Sequence, residues 1–230
     1  RKSLELAPWR YASLVAVARM ERETAAVEAA SSRFAACRAK KPDDPVAALG
    51  LADCRLRLGD REGGARLLRE ALALDLSPDE QATALANLAE LALEDGRDVP
   101  AAVLAAQAGR VDPRSPRCRL VHAAVLARLG QTAAADEERK VGRELGQRQV
   151  ALAEAARRAR VNPESADIRA EVGALLVEMG LFREAARWFD TALQIDPGHR
   201  ASHAALADYW TTAGDAARAA RHRAAAADPP

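Results

Sequence analysis

Apolar residues recur along this chain at helical spacing, in short runs interrupted by glycine or proline. The clearest pair of runs lies between Ala166 and Pro197. Val172, Leu175, Leu176 and Met179 form one stripe; Phe182, Ala185, Trp188, Phe189, Ala192, Leu193 and Ile195 form a second. Gly180 ends the first helix that this pattern predicts, and Pro197 after Asp196 stops the second. Two helices of this length cannot bury both stripes on each other, so the pair needs similar neighbours. A search for such neighbours finds closing segments that end at Pro8, Pro42, Leu76 and Pro113, at intervals of 34, 34 and 37 residues.

Within each period the same residue types return at the same places. Small residues where two helices would cross are Ala18, Ala52, Ala89, Ala123, Gly173 and Ala207. The turn between the helices carries Gly59, Gly96, Gly130, Gly180 and Gly214, with Ala25 in the first copy. Early in the second helix stand Ala30, Gly64, Ala101, Ala135, Ala185 and Ala219, and further along it a plug: Phe34, Leu68, Ala105 or Phe189. Small residues let paired helices approach closely, and a larger one fills the gap beyond. Together, the roughly 34-residue period and these positions resemble the tetratricopeptide repeat family over nearly the whole chain. The resemblance implies an all-α fold, a right-handed superhelical solenoid of about six helix-turn-helix copies.

Along the chain, the first copy (Tyr11 to Pro42) has Leu14, Val17, Val27, Phe34 and Cys37 as its expected core, and the second has Leu49, Leu51, Leu58, Leu67, Leu68 and Leu72. The third follows an insertion at Ser77-Pro78-Asp79-Glu80, read as a longer loop with a helix cap, and buries Leu85, Leu88, Leu91, Val103 and Leu104. After the fourth copy the rhythm breaks. No proline interrupts Thr132 to Val161, so one unusually long helix is expected there, about 45 Å at 1.5 Å per residue. Gly142 and Gly146 are its weak points. Such a helix serves two stacks and divides the array into sub-modules 1–146 and 147–230. Arg1 to Pro8 fits only the tail of a second helix, which suggests a piece of a longer polypeptide. Arg221 and Arg223 replace apolar residues in the last copy, as in a polar capping repeat that stops at Pro229-Pro230.

Composition narrows the class. Alanine makes up about a quarter of the chain and aromatics 3%, which favours helices over strands. The charges nearly cancel to +1 and are interspersed, which argues against nucleic acid as partner. No apolar run approaches the roughly 20 residues of a membrane span, so membrane insertion is not expected.

No Gly-rich phosphate loop, Gly-x-Ser-x-Gly or His-Glu-x-x-His stands in the sequence, so no catalytic residue and no cofactor is expected. Asp43-Asp44 and Glu137-Glu138 read as loop and solvated-face carboxylates. His199 and His203 are four apart, but a third ligand is missing, so no metal site is assigned. His122 reads as a core histidine and His222, among arginines, as exposed. Cys37, Cys54 and Cys118 read as buried small hydrophobes, with a Cys37–Cys54 disulfide as the alternative. Trp188 belongs to the core stripe, while Trp9 and Trp210 stay open between packing and binding. Arg157, Arg158 and Arg160 read as a solvated face beside Glu154 and Glu164.

In the resembled fold the first helices line a concave face. The partner-binding positions expected on it are Arg19, Arg22, Leu49, Asp53, Leu56, Glu90, Leu120, Val177 and Asp208. The mix suits an extended peptide or helix with apolar anchors and a few charges that fix direction. Where carboxylate-clamping relatives carry lysine, asparagine and arginine, the corresponding positions here are valine, leucine, alanine, aspartate and glutamate, with only Asn87 matching in type. The expected function is therefore a non-enzymatic scaffold that binds a protein or peptide, or another domain of its own polypeptide. The alternative is an accessory domain of a larger enzyme or multihaem redox protein whose chemistry lies upstream.

Overall fold

The structure, a computed structural model, describes residues 8–24 and 26–227, with side chains from Tyr11 onward. The expectations on the opening tail, Ala25, the Trp9 side chain and the closing prolines lie outside the described residues. Twelve α-helices and no strand are present among the described residues. They run α1 (Pro8–Glu23), α2 (Val27–Lys40), α3 (Pro45–Arg57), α4 (Arg61–Ala71), α5 (Pro78–Glu94), α6 (Asp98–Val111), α7 (Pro116–Arg128), α8 (Thr132–Val161), α9 (Ala166–Glu178), α10 (Phe182–Ile195), α11 (Arg200–Thr212) and α12 (Ala216–Ala227). Odd-numbered helices are first helices of the hairpins, and even-numbered ones are second helices.

Local chemistry sets the boundaries. Pro45, Pro78 and Pro116 occupy the first turn of their helices, where a missing N–H costs nothing. Asp44, Asp60, Ser77, Ser115 and Ser165 accept hydrogen bonds from backbone N–H groups one turn on. The five turn glycines, Gly59, Gly96, Gly130, Gly180 and Gly214, all have φ between 71° and 83°. That left-handed conformation strains any residue with a Cβ, so glycine there ends the first helix and reverses the chain.

The described residues form two compact units that divide between Gly142 and Arg143, inside α8. α8 itself is a single unbroken helix of 30 residues. In the first unit each helix from α1 to α7 packs on the next, and α1 touches α3 as α5 touches α7. Its core comprises two adjoining clusters, one around Phe34, Leu51, Leu68 and Leu88, the other around Leu85, Ala105, Val121 and Val125. In the second unit α9 through α12 pack in succession, and Ala155 and Ala159 of α8 join a core around Val172, Leu176, Phe189 and Leu206. The crossing residues, the second-helix small residues and the plugs are all buried.

The plugs sit between first helices. A Cβ placed on Gly50 would come within 2.5 Å of the Phe34 ring, and one on Gly173 within 2.7 Å of the Phe189 ring. Glycine therefore makes room for an aromatic ring in each unit. Several expected core residues are exposed instead: Val17, Leu58, Val103 and Phe182. Leu58 stands at the C-cap of α3 and Phe182 is the first residue of α10, so both sit at helix ends. The Ser77–Glu80 segment also differs from expectation. Glu80 N–H donates to Ser77 Oγ while the Glu80 carboxylate accepts from Ser77 N–H, so residues 78–80 form the first turn of α5. Pro8 begins α1.

Candidate functional site

Of the expected binding residues, Arg19, Leu120, Val177 and Asp208 are exposed and Arg22, Leu49, Asp53, Leu56 and Glu90 are half-buried. In the first unit, Arg19 is exposed on α1, and Arg22 Nε lies 3.9 Å from the Asp53 carboxylate on α3. Arg57 donates to the Arg22 carbonyl at 2.7 Å, tying the same two helices. Leu49 and Leu56 are half-buried and pack against the core, so their area is largely spent on folding. Glu90 on α5 accepts from Arg117 on α7 at 2.6 Å, and Arg117 also donates to Asn87. Leu120 is exposed on α7. The charges of this face thus pair from one first helix to the next. Arg117 escaped the sequence reading, although it stands three residues before Leu120 and shares its helix face.

In the second unit two of the expected residues meet. Val177 at the end of α9 and Asp208 on α11 line one groove of about 710 Å³. Its walls are Leu181, Phe182, Phe189, Ala205 and Tyr209, with Arg183 and Glu184 at the rim. Phe182 is 54% exposed and Val177 40%, so large apolar area faces the groove. The turn at Gly180 sets this geometry: it reverses the chain so that Leu181 and Phe182 face the next first helix. Trp210 lies against Tyr209, edge to face at 4.9 Å, and carries the Arg218 guanidinium over its ring at 4.3 Å. It serves the fold of the last hairpin, and Trp188 packs half-buried against the same core.

The histidines are engaged with neighbours. His199 Nδ1 accepts from the Ser202 N–H at the start of α11, and its Nε2–H donates to Asp167 at 3.0 Å. His203 Nε2–H donates to the Pro197 carbonyl at 2.9 Å, which leaves its Nδ1 to accept from His222 Nδ1–H, also 2.9 Å away. All four ring nitrogens of the His199/His203 pair therefore point at other partners. No group of three or more metal-ligating side chains occurs among the described residues. His222 is half-buried, a correction to its expected exposure, because α12 lays it against α11. His122 lies 3.3 Å from Glu138, which also accepts from Arg119.

Burial holds the His222 imidazole below its ordinary value, with His203 and Arg221 acting in the same direction and Asp190 opposing. The unfolded chain then binds a proton more readily than the folded one as pH falls through about 6.5. Stability from this contact is complete above that pH and declines below it. Urea midpoints of the second unit should therefore drop between pH 7.5 and 5.5. His222→Asn, which keeps an N–H donor for His203, should flatten that slope; an equal drop in the variant would contradict the assignment.

The three cysteines are free and buried, and desolvation pushes each thiol up. They are packing residues, and the disulfide alternative does not hold. Asp44 is more than a loop carboxylate, since it caps α3 and accepts from the Tyr11 hydroxyl. Arg157 pairs with Glu154, and Arg158 with Glu171, so part of that basic run is already neutralised.

No protein-family model matches the sequence, and none of the curated proteins does. Solved structures do resemble it. A chain of the Cut9–Hcn1 hetero-tetramer of the APC/C is similar at TM-score 0.56 and 13% identity. That alignment covers 97% of this chain but only 40% of the other, so the chain spans well under half of that relative's length. A thermophilic tetratricopeptide repeat protein of Thermus thermophilus is similar at TM-score 0.50 and 20% identity, covering 94% of this chain and 98% of that one. A tetratricopeptide repeat protein from Parabacteroides merdae gives TM-score 0.50 and 15% identity, over 96% and 79% of the two chains.

Proposed function

We propose that this chain, an all-α stack with the tetratricopeptide repeat fold, is a non-catalytic scaffold that holds a protein or peptide partner on its first-helix face. One observation carries the reading: Val177 and Asp208, assigned to the binding face by the family resemblance and helix spacing, line one open groove with Phe182 and Tyr209. Its volume lies within the roughly 300–1,000 Å³ of typical ligand sites. The apolar walls suit a bulky aliphatic or aromatic anchor, and the unpaired Asp208 and Glu184 against Arg183 would fix the direction of the bound segment. In the first unit Arg19, Arg22, Asp53, Glu90 and Leu120 hold the corresponding positions on first helices, and the chain works as two sub-modules, residues 1–146 and 147–230. The Cut9–Hcn1 relative, solved as a hetero-tetramer, supports a role in assembly.

Selection of a displayed random-peptide library on the full chain tests the reading. Enriched peptides should share one large apolar residue flanked by a cation. Val177→Arg/Asp208→Arg should weaken them at least about tenfold, the scale of losing a buried anchor and one charge pair. No enrichment, or equal affinity for the double variant, would reject the groove.

A further inference from the structure

A second groove, in the first unit, has its own chemistry. The linkers from one hairpin to the next are four residues long at 41–44, 112–115, 162–165 and 196–199, but six at 72–77. The helix before that linker, α4, has 11 residues, whereas α2, α6 and α10 each have 14. A groove of about 950 Å³ runs along α4 and α6, from Arg61 to Leu72 at the end of the shortened helix. Leu85, Leu88 and Leu91 of α5 close its floor, and half-buried Leu72 and Leu104 stand on its walls. Leu72 and Leu104 touch both core clusters of the first unit, so the groove follows the seam between them.

The rim is basic. Arg61, Arg66 and Arg69 line it from α4 and Arg97 from the other side, against Glu62 and Asp95. Asp95 is already shared by Arg61 and Arg97. Arg66 reaches Glu70 only at 3.9 Å with its side chain 73% exposed, and Arg69 has no ion pair among the described residues. Two guanidinium groups are thus left to meet anionic groups above a leucine floor. α4 is about 16 Å long at 1.5 Å per residue, room for about three turns of a second helix. The lining contains no aromatic ring on which a base could stack, which favours a peptide over single-stranded nucleic acid.

We propose that this groove docks an acidic amphipathic helix of a protein partner, about three turns long, with aliphatic side chains on the leucine floor and carboxylates at Arg66 and Arg69. The inference rests on the protein-binding reading above but places a contact in a different groove.

Fluorescence anisotropy on the full chain tests it with three labelled probes. These are a designed helical peptide with leucine at helical spacing and glutamate elsewhere, the same peptide with lysine for glutamate, and a single-stranded oligouridylate. The acidic peptide should bind, and more weakly as salt rises. Arg66→Glu/Arg69→Glu should weaken it at least about tenfold and Asp208→Arg by less than about twofold, with the lysine peptide at least about tenfold weaker than the acidic one. Far-UV circular dichroism checks the fold of the double variant; should that variant unfold, Arg66→Gln/Arg69→Gln is read in its place. Loss of binding in Asp208→Arg instead would overturn this inference and leave the scaffold reading intact. So would equal binding of both peptides, absence of acidic-peptide binding, or tighter binding of the oligouridylate.

Discussion

Replacing Phe189 by alanine should lower the stability of the second unit by about 3–5 kcal/mol, the usual range for deleting a buried aromatic ring. Phe189 is 4% exposed, and its ring fills the space that Gly173 leaves open on the facing helix. Gly173 lies in the paired first helix, and Ala205 shares the groove with Phe189 on the next, so the residues facing the ring from both are small. The hydrophobic transfer loss and the cavity both count. The effect should stay local. With Trp9 replaced by phenylalanine, the remaining Trp188 and Trp210 both belong to the second unit and report it by fluorescence, while far-UV circular dichroism sees every helix. The expected result is a tryptophan transition moved to lower urea and a circular dichroism curve split in two, its later part unshifted. If both probes moved together, the halves on either side of residue 146 would fold as one body.

The second large effect is expected from adding volume. Gly50→Leu should destabilise the first unit by about 3 kcal/mol, the upper part of the usual overpacking range. The Phe34 ring is wholly buried and lies where the first added carbon must go. The ring cannot swing aside without displacing Leu51 and Leu68 in the same cluster. Phe34→Ala should cost a similar amount by opening a cavity. The two changes partly exchange volume across one contact, so the double variant should be more stable than the sum of the single losses by about 1 kcal/mol or more. Urea denaturation of the four proteins reads this coupling; strict additivity would mean that the two positions do not share a packing site.

The plug-and-gap arrangement was largely legible because each part has a residue type that a 34-residue period repeats. Gly59, Gly96, Gly130, Gly180 and Gly214 marked the turns, and their positive φ values explain why glycine stands there. Thr132–Val161 was readable as one helix because no proline interrupts it. At helix ends the spacing misled: Leu58 and Phe182 continue apolar stripes in sequence but are exposed. The insertion in the third copy was visible as a longer interval, yet not its consequence. Ser77 and Glu80 cap each other, which draws residues 78–80 into α5 and moves the slack upstream to Leu72–Leu76, beside the shortened α4.

The candidate site divides in the same way. Val177 and Asp208 could be placed by counting helix faces, since each lies on the open side of a first helix. Tyr209 could not, because its neighbour Trp210 takes the packing role beside Arg218. His222 sits among arginines in sequence, and only the pairing of α11 with α12 brings it to His203, 19 residues away. Long-range pairs of this kind leave no mark in local periodicity.

The most direct test of the scaffold reading is to locate a bound peptide. Amide and methyl chemical shifts of the isotope-labelled full chain, recorded while a peptide from the library selection is titrated in, would do so. The account predicts saturable shifts concentrated at Val177, Leu181, Ala205, Asp208 and Tyr209. Shifts spread evenly over the second helices, or none in the residues of this groove at saturation, would contradict it.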